Sequence, residues 1–140
     1  WLDGWVNETG STVGHLESPF AEQTIVNSGS QSMPLAYDNS GGASEADFEL
    51  AQNWTTNGVQ SLSLSVYGDA ANTGQLYVKI NGTKVSDDAA AIDLANPSWQ
   101  TWSIDLSTVG NVSNVTSLTI GIEGAGASGA LYVDDIRLYP

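Results

Sequence analysis

From residue 33 onward, apolar and polar residues alternate over most of the chain with a period of two, the signature of strands buried on one face. Met33, Leu35 and Tyr37 alternate through QSMPLAYD, and Ala46, Phe48 and Leu50 alternate with Glu45, Asp47 and Glu49. In VQSLSLSVYGD, Leu62, Leu64 and Val66 take one face and Ser61, Ser63, Ser65 and Tyr67 the other. The next run places Leu76, Val78 and Ile80 inward and Tyr77 and Lys79 outward, and Asn81-Gly82 marks a tight hairpin turn. Trp102, Ile104 and Leu106, then Leu118, Ile120 and Ile122, repeat the pattern. In GALYVDDIRLYP, Leu131 and Val133 set an inward phase that Ile136 and Leu138 resume one residue late, which predicts a bulge at Asp134-Asp135. The first 32 residues are loop-like, with a short strand expected over 24–26 and a turn at Asn27-Ser28-Gly29-Ser30. Pro34 hints at an edge strand.

Many short strands punctuated by turn chemistry predict an all-β fold, a two-sheet antiparallel β-sandwich of the jelly-roll type. Its expected core is Met33, Leu35, Phe48, Leu62, Leu64, Val66, Leu76, Val78, Ile80, Trp102, Ile104, Leu118, Ile120, Leu131, Val133, Ile136 and Leu138. The carboxylates of Glu45, Asp47 and Glu49 are expected to face solvent. At 140 residues the chain is read as one domain, 1–140, excised from a larger multimodular protein.

Charge narrows the partners. The formal net charge is −13, with three basic residues, Lys79, Lys84 and Arg137, and this excludes nucleic acid and anionic membrane surfaces. No run of residues is apolar enough for membrane insertion. Ser, Thr, Asn and Gly are abundant, which suits a secreted or cell-surface module. Without cysteine there is no thiol or zinc-thiolate chemistry, and His15, the one histidine, lies in a Gly-rich loop beside no nucleophile motif. None of the sixteen acidic residues is singled out as half of a glycosidase pair, so no catalysis is expected.

Two kinds of binding chemistry remain. Calcium takes six to eight oxygen ligands and suits a fold whose early and late strands must be held together. Asp134 or Asp135 would supply a carboxylate and the turn containing Ser28 and Ser30 would supply carbonyl oxygens; alternatively both carboxylates are simply solvated at the bulge. A polysaccharide needs flat aromatic faces beside groups that read its hydroxyls. The outward positions Tyr67, Tyr77, Tyr132, Lys79, Asp105 and Arg137 fit a concave sheet face, and Trp1 and Trp5 are candidates at a loop tip. Trp54 and Trp99 are read as plugs at the ends of the sandwich.

The segments SGSQSMPLAYDN, NWTTNG, GQLYVKINGTKV, SWQTWSIDL, SLTIGIEG and LYVDDIRLYP, in that order, resemble the galactose-binding-domain-like β-sandwich modules of bacterial secreted polysaccharide-degrading proteins. The resemblance covers residues from about 24 to 139 and implies a carbohydrate-binding module joined to catalytic or surface-protein modules. It also implies a structural calcium held by a first-strand glutamate, by carbonyls of a Ser-Gly turn and by an Asp of the final strand. Ser28-Gly29-Ser30 and Asp134-Asp135 match the last two, and Asp3 and Glu17 are the acidic residues available for the first. The alternatives are a structural or protein-interaction sandwich that binds no glycan and, third, a small glycan-active enzyme.

Overall fold

The computed structural model describes residues 1–87 and 90–140, so two residues of the Ala/Asp-rich loop after residue 86 lie outside the described residues. Nine strands are described: β1 (Ser11–Val13), β2 (Met33–Asp38), β3 (Ser44–Gln52), β4 (Ser61–Tyr67), β5 (Gln75–Ile80), β6 (Thr83–Ser86), β7 (Trp99–Asp105), β8 (Val115–Glu123) and β9 (Ser128–Tyr139). A single-turn helix, α1 (Gly4–Asn7), precedes them and packs on β1 and β3. All described pairings are antiparallel, in a five-stranded sheet of order β1-β2-β9-β4-β7 and a four-stranded sheet of order β3-β8-β5-β6.

The period-two pattern gives this sandwich directly, because each strand has one apolar face to bury and the two sheets bury those faces against each other. Leu35, Val66, Leu76, Val78, Ile122 and Leu131 are each at 0–1% exposure between the sheets, and each contributes about 1.5–3 kcal/mol of transfer free energy. Two expected core positions lie at the open margin: Phe48 and Ile136 are 40% and 37% exposed. Trp1 covers the first, its ring 5.3 Å from that of Phe48. The segment 24–26 is no strand; there the chain makes only the isolated bridge Glu22↔Ser32. β2 is not an edge either, since β1 flanks it, but Pro34 lies just past Leu35, the partner of Val13 at the end of β1.

The phase slip in the last strand is a bulge. β4 and β9 pair as Ser63↔Arg137 and Ser65↔Asp134, with the register shifting between them. Asp135 carries φ +50°, a left-handed conformation that costs a non-glycine residue about 1 kcal/mol. Hydrogen bonds from the segment ahead of β2 hold it there.

Candidate functional site

The outward face of the five-stranded sheet carries a row of aromatic rings at one register. Tyr67 on β4 lies opposite Trp99 on β7 and opposite Tyr132 on β9. Its ring centroid is 5.5 Å from Trp99 and 6.2 Å from Tyr132, edge-on to both, and all three side chains are half-buried. The row runs across the strands, so its ends stand about 10 Å apart, two strand spacings. Beyond Tyr132 it opens into a hollow of ≈ 290 Å³ floored by Pro34, Ala36 and Ala130 and bordered by His15 and Leu16. Tyr132 borders both, so the row and the hollow make one continuous groove.

A strap spanning residues 14–32, which joins β1 to β2, closes one side of this groove. Asp134, one outward position beyond Tyr132, accepts hydrogen bonds from the backbone amides of Asn27 and Ser28 at 2.9 and 3.2 Å. The Asn27 side chain donates to Asp135 at 2.7 Å and reaches Ser65 on β4 at 3.3 Å. Ser65, outward by its alternation, is consequently 3% exposed, and Ser63 on the same face is 8% exposed. Further along the strap, Glu22 accepts from the amides of Thr24 and Ile25 at 2.6 and 3.1 Å and lies 2.9 Å from His15 Nε2. These bonds, that of Thr24 first, hold its carboxyl down to about 2. Burial, and then Glu22 on the strap, Asp69 in the loop after β4 and neighbouring Tyr67, push the Tyr132 hydroxyl up.

The expected site residues divide among separate places. Tyr67 and Tyr132 come together, but Tyr77 and Lys79 belong to β5 in the other sheet. Tyr77 is 2% exposed: its ring lies against Gly121, where a Cβ would come within 2.2 Å of it, and its hydroxyl donates to Glu45 at 2.6 Å. Burial and the Glu45 carboxylate push that hydroxyl up. Lys79 pairs with the same carboxylate oxygen, and the Lys84 ammonium lies 4.5 Å from the Tyr77 ring centroid. Glu45 and Asp47 are therefore not simply solvated; Asp47 accepts from Asn7 and Thr119. Asp105 sits at the far end of β7, where its carboxylate accepts from the Ser107 amide at 2.9 Å. Trp1 stacks on Phe48 at the margin, and Trp5 projects from α1 at 88% exposure. Neither reaches the aromatic row.

Trp99 does not plug the end of the sandwich but lies half-buried on the outer face against Tyr67, whereas Trp54 is buried at 3%. The signal for Trp99 was available, because it is in phase with the outward residues Thr101 and Ser103. Glu22, Asn27 and Asp69 gave no comparable signal. Their roles depend on where a loop lies.

The residues expected to hold calcium do meet, except that Ser30 stays in the exposed turn. Their chemistry does not fit the ion. The turn presents N–H groups rather than carbonyls to Asp134, and Asp135 accepts from the Ser28 hydroxyl, the Asn27 amide and the Arg137 guanidinium. These contacts, Ser28 first, hold the Asp135 carboxyl below its ordinary range. A cation is already supplied from within the chain. A cavity of ≈ 540 Å³ beside the bulge, lined by Trp1, Phe20, Met33 and Ile136, has Asp134 and Asp135 on its wall with both carboxylates engaged in this way.

No family model matches the sequence, and no curated protein matches it. Solved structures do. The chain is similar to a β-1,2-glucanase from Parabacteroides distasonis, with TM-score 0.62 and 17% identity over 96% of this chain and 23% of that one. It is similar to the family 11 carbohydrate-binding module from Clostridium thermocellum in complex with a β-1,3-1,4-mixed-linked tetrasaccharide (TM-score 0.58, 15% identity, 92% and 86% of the two chains). A family 30 carbohydrate-binding module matches with TM-score 0.64 and 14% identity over 93% and 91%. The chain thus spans under a quarter of the glucanase but nearly the whole of the two modules, and it has the β-sandwich fold they share.

Proposed function

We propose that this chain is a non-catalytic carbohydrate-binding module that keeps a larger extracellular protein, through its attached catalytic or surface modules, against a polysaccharide. The polysaccharide lies across the five-stranded sheet, its sugar faces on Trp99, Tyr67 and Tyr132 and its hydroxyls toward the strap and the exposed Thr101. The observation that carries this reading is the single-register row of three half-buried aromatics. Aromatic faces dehydrate the C–H faces of sugars while leaving their hydroxyls in water, so a shallow site of this kind binds weakly, at about micromolar to millimolar Kd. Tethering to other modules raises the effective concentration.

Two features support a binding role without catalysis. Hydrolysis of a glycosidic bond needs one carboxyl kept protonated as the acid. Glu22 beside the groove is held in the opposite direction, at about 2, and Asp69 is turned into its own loop by accepting from the Ala71 amide at 2.9 Å. For the calcium implied by the resemblance, Arg137 is proposed to act in place of the ion in fastening the strap.

The test is affinity electrophoresis of the protein through gels containing soluble cellulose derivatives, mixed-linkage glucan, xylan, mannan or agarose. Retardation in at least one gel, lost in Trp99→Ala and Tyr67→Ala, is the expected result. Retardation undiminished in both variants refutes the groove. A second reading, a sandwich that docks a protein partner, is favoured by Trp5 and Val6 of α1, 88% and 63% exposed. Under the carbohydrate reading, Trp5→Ala leaves retardation intact.

A further inference from the structure

We infer that the groove sorts polysaccharides by charge, accepting uncharged chains and turning away those that carry carboxylates or sulfates, with Glu22 and Asp69 as the residues that set this specificity. The inference rests on the carbohydrate-binding reading and narrows its substrate class. It starts from the cations. The chain has three basic side chains, and each is paired with a carboxylate: Lys79 with Glu45, Lys84 with Glu123 and Arg137 with Asp135. The two lysines belong to β5 and β6, in the sheet that does not carry the aromatic row. Arg137 shares the face with the groove but sits beyond the strap, with Asp135 and the Ser28 hydroxyl on its guanidinium. No lysine or arginine lines the aromatic row or the hollow beyond it.

Carboxylates, by contrast, flank the row on both sides. Glu22 and Asp134 lie on the strap side, and Asp69, two residues after Tyr67, lies on the other. Local bonding fixes each of them: Glu22 by two strap amides, Asp134 by Asn27 and Ser28, Asp69 by Ala71. These bonds orient them beside the row; His15 Nε2 lies 2.9 Å from Glu22, and Arg137 approaches Asp134 only through Ser28 and Asp135, whereas Asp69 pairs with no basic side chain among the described residues. A neutral sugar meets these groups as hydrogen-bond acceptors. An anionic sugar meets a fixed field of its own sign, on a molecule whose net charge is −13.

The test uses one polymer in three forms: a neutral polysaccharide that retards the protein, the same polymer lightly sulfated, and the same polymer methylated to an equal degree as a control for lost hydroxyls. Binding is measured by titration calorimetry at about 0.01 M and about 1 M salt, between which the Debye length falls from about 30 Å to about 3 Å. The expected result at low salt is a sulfated form bound at least about tenfold more weakly than the methylated one, a ratio that collapses at high salt. The ratio also shrinks in Asp69→Asn and in Glu22→Gln; Asp69→Asn leaves the strap bonds untouched and so separates charge from loosening. Equal binding of the sulfated and methylated forms at low salt overturns the inference while leaving the carbohydrate reading in place. So does a deficit that persists in high salt and in both variants. If a folded protein binds none of the neutral polymers, the carbohydrate reading falls and the inference with it.

Discussion

The two sheets each turn tyrosines outward, and the molecule treats those rings in opposite ways. On the four-stranded sheet Tyr77 is sealed: Gly121 lets the ring lie flat, Glu45 takes its hydroxyl, and the Lys79 and Lys84 side chains close over it. On the five-stranded sheet Tyr67 and Tyr132 stay half-open beside Trp99, with the strap along one side only. The difference shows that an outward tyrosine stays open to solvent only where neighbouring side chains do not close over it. Lysine stems cover apolar surface well, and two of the chain's three basic side chains lie over the Tyr77 ring.

The contrast is open to attack. The largest effect belongs to the sealed ring: Tyr77→Ala removes a buried aromatic and costs about 3 kcal/mol, measured as a fall of about 10 °C in Tm, while the folded fraction binds glycan as before. Next comes the open row. Trp99→Ala weakens glycan binding about tenfold, read by calorimetry, with Tm nearly unchanged; a large loss of Tm here would mean that both rings serve packing.

A smaller effect distinguishes the strap from a metal-bound loop. Chelation of divalent ions leaves the melting curve in place, whereas Arg137→Gln lowers Tm and speeds amide exchange at Asn27 and Ser28. A clear rise of Tm on adding calcium to the chelated protein would show that the ion, not Arg137, fastens the strap. The smallest effect is in acid. Because the Glu22 carboxyl is held below its ordinary value, its contribution is fully present above about pH 4.5 and is lost as pH falls toward about 2. The gap in Tm between the wild type and Glu22→Gln therefore closes over that range.

Most of the fold was legible because its signal is local. Alternation in β4, β5 and β8 placed Leu64, Val78 and Ile120 correctly, and the slipped phase at Asp134-Asp135 located the bulge. The candidate site was only half legible. Alternation says which side of a strand a residue takes, but not which of two sheets the strand joins, so Tyr77 was grouped with Tyr67. Cover is equally hidden: Ser65 alternates outward and is 3% exposed because Asn27, 38 positions away, reaches over it. Contacts between a loop and a distant strand have no period, and the strap, the engaged Asp135 and the roles of Glu22 and Asp69 all depend on such contacts.

The order of the strands also bears on how the molecule forms. β9, the last strand in sequence, lies between β2 and β4 near the middle of its sheet. During synthesis β2 and β4 therefore wait with unpaired backbone edges until residues 128–139 have left the ribosome, an interval in which aggregation competes with folding. A nascent chain stopped after β8 has no completed five-stranded sheet, so β9 acts as the closing step of assembly rather than as a removable tail.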